Sequence, residues 1–115
     1  MVDEEKYIPK QGDIIRANLN PKKGHEQKGY RPLVVLSNDI VAKFTNVVII
    51  APISTTKRRL PLYIKMHDKC KTTGYVLLDQ LVTIDYLVRN AKYIEKVPEK
   101  FLGKLLDVSR RIFSK

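Results

Sequence analysis

Arg31, the hydroxyl run Ser54-Thr55-Thr56 and the polar segment His25-Glu26-Gln27 are the residues of this chain best equipped for chemistry. A guanidinium offers paired planar donors that match phosphate oxygens, hydroxyls add single donors, and a carboxylate or imidazole can move a proton. Lys57, Arg58 and Arg59 follow the hydroxyl run at once, which sets a basic strip beside it. Such a set suits the binding of a phosphate. It suits equally well an Arg31–Glu26 ion pair next to an ordinary Ser/Thr turn, and the residues alone do not choose.

Other chemistries have less to build on. There is no Gly-rich phosphate loop, and His25 and His67 stand far apart in the chain. Asp79 and Asp85 are too few and too dispersed for a two-metal nuclease, so neither metal nor cofactor is expected. Cys70 is alone, which excludes a disulfide framework. Its neighbours Lys69 and Lys71 suggest a surface turn in which positive charge lowers the thiol pKa, although a lone cysteine is more often incidental than a nucleophile. Tyr30, Tyr63 and Tyr75 are candidates for stacking on bases, and each taken singly is better read as a half-buried strand residue.

The charge balance narrows the partner. The chain carries 22 Lys and Arg against 12 Asp and Glu, a net +10, which points to a polyanion rather than to solubility alone. Acids are scarce in two stretches: residues 57–71 hold six basic residues and one acid, and residues 89–115 hold eight and three. At 115 residues one domain is expected, spanning 1–115. No apolar run is long enough for a membrane span and no secretion signal opens the chain, so a cytoplasmic protein is expected.

The elements that must position these residues follow from periodicity. GDIIRANL, from Gly12, alternates like a strand; residues 20–30 form a long loop punctuated by Pro21, Gly24 and Gly29; RPLVVLS is a second strand. Asn38 and Asp39 can cap a helical turn over IVAKF. NVVIIAPIS, apolar at both parities, is a central strand, and LPLYIKM is a fourth strand that Pro61 restricts to an edge or a strand start. GYVLLDQLVTI reads as one fifth strand and AKYIEKV as a sixth, while residues 1–11 read as frayed. Pro98 and Glu99 open a terminal helix without a side-chain cap. Its stripe of Phe101, Leu102, Leu105, Leu106, Ile112 and Phe113 must hold it, against the cost of Gly103. Short strands and one terminal helix suggest a small, bent antiparallel sheet or barrel. If the second and third strands pair antiparallel, Arg31 and Ser54 reach the same rim.

The run GDIIRANLNPKKGHEQKGYRPLVVLSND, followed in order by VVIIAPIST, LPLYIKM and GYVLLDQLVTID, resembles the MazF/PemK family of toxin endoribonucleases. The most specific part is Glu26-Gln27-x-Gly29-x-Arg31-Pro32, with Leu77-Leu78-Asp79-Gln80 in support. The resemblance implies a mainly β fold with a C-terminal helix, an SH3-like small β-barrel of the CcdB/MazF type, working as a homodimer. It also implies metal-independent cleavage of single-stranded RNA to 2′,3′-cyclic phosphate and 5′-hydroxyl ends, and a cognate antitoxin with a flexible acidic segment. Carried over residue by residue, the family's catalytic arginine falls on Arg31 and its catalytic threonine on Ser54, which keeps the hydroxyl and drops a methyl. The family's Glu-Gln pair is Glu26 and Gln27, with Asn38, Asp79 and Gln80 among its substrate-groove positions. His25 stands where a serine is usual, leaving Glu26 or His25 as proton acceptor. Thr55, Lys57, Arg58 and Arg59 complete the expected RNA contacts. A guanidinium with a pKa above ~12 is better suited to stabilising charge than to exchanging a proton, so Arg31 is assigned the electrostatic role. Two other readings share the fold: a gyrase poison, disfavoured because the chain has no Trp, and a catalytically silent RNA-binding barrel, hinted at only by Ser54.

Overall fold

Seven strands and two helices carry the described residues, 6–19 and 30–115 of a computed structural model. In chain order they are β1 (Asp13–Asn18), β2 (Tyr30–Val35), α1 (Asp39–Phe44), β3 (Val47–Ser54), β4 (Tyr63–Lys65), β5 (Tyr75–Leu77), β6 (Val82–Asp85), β7 (Lys92–Lys96) and α2 (Glu99–Ile112). All strand pairs are antiparallel, in the order β4-β5-β3-β2-β1-β7, with β6 also on β3. Among the described residues no pairing joins β4 to β7, so the barrel is an open one.

The central strand serves three partners. On its inner side β3 pairs with β2; on its outer side β6 takes Val47–Ile50 and β5 takes Ile53 and Ser54. Pro52, which lacks an N–H, falls in the gap between those two outer pairings. Its direction follows from Ile49, whose N–H and C=O both face the β2 side, donating to Ser37 Oγ and accepting from Leu36 N. Alternation then turns the Pro52 nitrogen outward, where no ladder bond is lost.

Each face of the sheet has its own core. On one face Ile14, Val34, Ala51, Ile53 and Val76 pack under α2 through Phe101 and Leu105, with Leu102 and Leu106 partly buried beside them. On the other, Ile15, Leu33, Val35, Val48, Ile50 and Ile84 close over Ala42 of α1 and Tyr86. The stripe does hold α2, which starts at the N-cap Pro98 with no side-chain cap. It ends earlier than the periodicity predicts, for Ile112 and Phe113 are exposed. No helix among the described residues is long and apolar enough to cross a membrane.

Three expectations need correction. The single fifth strand is two, β5 and β6, separated by a 3₁₀ turn at Leu78–Gln80. Leu78 is buried there and donates its N–H to Leu62 O at 3.0 Å, so burial of one leucine bends the chain away from a straight ladder. Cys70 is buried, not exposed; burial first, then the Glu95 carboxylate, pushes its thiol pKa up rather than down. Glu95 binds the same loop through Lys71 N, Thr72 N and Thr72 Oγ1, and those donors outweigh its own desolvation and hold its carboxyl below the usual range.

Residues 6–11 are also held rather than frayed. Pro9 is fully buried, and Gln11 Nε2 donates to Leu36 O at 2.8 Å. The reason is Asp13, a carboxylate only 3% exposed, which must find donors where water is absent. The Tyr7 hydroxyl and Lys10 N supply two and the Lys96 ammonium a third at 3.0 Å. Asp13→Ala should therefore lower the unfolding free energy by about 3 kcal/mol, because three donors lose one shared acceptor. Lys96→Ala, which removes a half-exposed partner, should cost about 1 kcal/mol or less. Urea denaturation compares them; equal losses would show that the ammonium rather than the buried carboxylate organises this corner.

Candidate active site

Strand register decides which side chains meet. The β2–β3 pairing Leu33↔Pro52, continued by one pleat, sets Arg31 across from Ser54. Ser54 pairs in turn with Tyr75 on β5, and Tyr75 with Lys65 on β4. Cross-strand partners share a face, so Arg31, Ser54, Tyr75 and Lys65 form one row across four strands. At about 4.8 Å per strand the row spans about 15 Å. Beneath it, one pleat in, run the apolar Leu33, Pro52, Leu77 and Tyr63. The row is thus the polar lip of a hydrophobic sheet face, with Arg31 and Lys65 exposed and Ser54 and Tyr75 half-buried.

Gly74 makes the Ser54–Tyr75 contact possible. Its backbone has φ +121°, and a Cβ there would lie 2.8 Å from the Ser54 carbonyl oxygen. Any other residue would push β5 off the end of β3. The loop after Ser54 is organised by its own hydroxyls and cations. Ser54 Oγ donates to Thr55 O at 3.3 Å, Arg58 N donates to Thr56 Oγ1 at 3.1 Å, and Lys57 and Arg58 remain exposed. Arg59 folds back, its guanidinium carbon 4.6 Å from the centre of the Tyr75 ring.

The expected site residues divide by place. Arg31, Ser54, Thr55 and the strip Lys57-Arg58-Arg59 gather at this lip. Asn38 does not: it lies beyond the opposite end of β2, seven residues and roughly 20 Å along the strand direction from Arg31. There its Oδ1 caps α1 by accepting from Ile40 N. Asp79 and Gln80 are exposed on the 3₁₀ turn beside the middle of β3. His25, Glu26 and Gln27 lie outside the described residues. Of the three candidate tyrosines only Tyr75 stands in the lip. Tyr63 is buried against Leu77 in the floor, and Tyr30, one residue from Arg31, points to the other face, where its hydroxyl donates to Asn90 O.

A profile of the PemK-like, MazF-like toxins of type II toxin–antitoxin systems matches residues 10–113. The chain is 30% identical over 107 residues to the endoribonuclease MazF of Staphylococcus saprophyticus, covering 87% of this chain and 89% of that one. The chain belongs to this toxin family. The endoribonuclease EndoA of Bacillus subtilis is 37% identical over 83 residues, 68% of this chain and 72% of its own. A crystal structure of MazF from Deinococcus radiodurans superposes with a TM-score of 0.80 at 25% identity, over 93% of this chain and 97% of that one. The fold is therefore that of a MazF toxin.

Two residues of the toxin's lip were given no site role by reading the sequence: Lys65 and Gly74. Lys65 is legible only as the polar position between buried Ile64 and Met66, and Gly74 only as a glycine before a strand. Gly74→Ala should cost about 1–3 kcal/mol from the left-handed backbone alone. It should also shift the amide resonances of Ser54 and Tyr75 more than those of α2. An unchanged urea midpoint with unmoved Ser54 signals would show that β5 does not set the position of Ser54.

Proposed function

We propose that this toxin is a metal-independent, sequence-specific endoribonuclease that cuts single-stranded RNA at the Arg31–Ser54 lip. The observation that carries the reading is the register that sets a guanidinium across from a hydroxyl beside a cationic loop. In the reaction the ribose 2′-oxygen bonds to the adjacent phosphorus as the bond to the 5′-oxygen breaks. The products are a 2′,3′-cyclic phosphate and a 5′-hydroxyl. Arg31 and Ser54 Oγ donate to the non-bridging oxygens, whose negative charge grows in the transition state. Glu26, or His25 beside it, takes the 2′-hydroxyl proton, in line with the family resemblance of that segment, and solvent water gives the departing 5′-oxygen its proton. Gln27, Thr55, Lys57, Arg58 and Arg59 hold the strand, while Asp79, Gln80 and Asn38 extend the groove toward the opposite end of β3.

Cutting messenger RNA in the cytoplasm would halt translation and growth, the effect expected of a toxin in such a pair. Its cognate antitoxin would lay an acidic segment along the same cations and so exclude RNA. We further assign it a homodimer. The groove of about 200 Å³ lined by Leu36, Ile49, Leu81, Leu106 and Phe113, close to Asn38, is the apolar surface that a second copy would cover.

End-labelled RNA incubated with the protein and excess EDTA tests the reading. Cleavage should persist and leave cyclic phosphate ends. Arg31→Lys and Ser54→Ala should each lose roughly 100-fold in rate, since a point charge cannot replace a planar fork nor a methyl a donor. Ser54→Thr should stay within roughly tenfold of wild type. Loss of cutting on chelation with recovery in magnesium, or full activity in Ser54→Ala, would overturn the mechanism.

A further inference from the structure

Arg59 is not arranged like a free surface arginine. One of its nitrogens, Nη1, donates to both Thr56 O and Arg58 O at 2.9 Å, and the guanidinium is laid on the face of Tyr75. A long, exposed side chain held this way has already lost much of the freedom that binding would otherwise remove. Tyr75 is in turn fixed by its backbone between Ser54 and Lys65. We propose that the Arg59–Tyr75 stack is a base-binding subsite for the nucleotide next to the scissile phosphate, with Lys65 taking that nucleotide's outer phosphate.

The geometry supports the assignment in three ways. Tyr75 is one strand, about 4.8 Å, from Ser54, and Lys65 one strand further, so phosphate, base and phosphate positions succeed one another along the row. Arg59 lies over one face of the tyrosine ring, and ring and guanidinium are both groups on which bases stack. Its charge is delocalised and weakly hydrated, so covering it with a base costs less than covering an ammonium. A clamp that merely tied down residues 55–62 would need the ring and the cation but would have no use for Lys65 in line with them. This subsite rests on the proposed endoribonuclease reading and supplies part of its sequence preference.

Binding separates the two claims. A set of 2′-O-methyl oligoribonucleotides, which cannot be cut, would carry one abasic residue stepped along the chain. For wild type, one position should weaken binding by about 5- to 100-fold, the worth of one base–aromatic stack. Tyr75→Leu should weaken the intact strand similarly and abolish the penalty at that position alone, because the two changes remove the same contact. Arg59→Lys, in an exposed loop and so safe for folding, should remove most of the same penalty while keeping the charge. Lys65→Gln should reduce the salt slope of log affinity by about 0.7 without altering the abasic profile. Abasic penalties that persist unchanged in Tyr75→Leu and Arg59→Lys, or a wild-type profile with no sensitive position, would overturn the subsite. Tight binding and a normal abasic profile in a protein that cuts no RNA would overturn the endoribonuclease reading and leave the subsite standing.

Discussion

The outer side of β3 has one row of backbone groups and two strands to satisfy with it. The handover occurs at Pro52, whose missing N–H faces the only stretch that neither β5 nor β6 claims. From that constraint the site follows. β6 must stop at Ile50, the chain must turn at Leu78–Gln80 with a leucine in the core, and β5 must meet β3 at Ile53 and Ser54. Gly74 then lets the two backbones approach to a distance at which no side chain fits. Ser54 sits where it does because three unrelated residues, a proline, a leucine and a glycine, each leave only one solution.

Charge is arranged along the same logic. Strand pairing sets Arg31 and Lys65 at the two ends of a four-strand row, and the loop after Ser54 places Lys57, Arg58 and Arg59 beside it. The floor below is apolar, so the field of these cations is not dispersed by polar groups underneath. Asp13, the one buried charge among the described residues, stands in a different corner and is used to tie down the N-terminal segment. Three acids serve structure: Asp13 and Glu95 collect donors from loops, and Asp107 pairs Arg111 within α2.

What the sequence made legible was the part governed by local pattern. The central strand, a strand after Pro61 that proves to be the three-residue edge Tyr63–Lys65, the Asn38 cap and the amphipathic helix all answer to periodicity and capping. The antiparallel pairing that brings Arg31 to Ser54 needed only a short connection between two apolar runs. The rest depends on contacts distant in the chain. A strand through GYVLLDQLVTI is locally plausible, and only the burial of Leu78 breaks it. Residues 6–11 look polar, yet a carboxylate buried at Asp13 recruits them. Cys70 looks exposed among lysines until its loop folds onto the core, and Tyr63 looks like Tyr75 until register turns one into the floor and the other to the lip. The Glu26-Gln27 segment, the most specific sequence signal, lies outside the described residues, so its role rests on family resemblance.

The central claim is that one phosphate of an RNA strand sits between Arg31 and Ser54. The most direct measurement is a crystal structure of the protein with a 2′-O-methyl oligoribonucleotide that cannot be cut. It should show non-bridging oxygens of a single phosphate within about 3 Å of both the Arg31 guanidinium and Ser54 Oγ. A strand bound with no phosphate shared by these two groups would contradict the account.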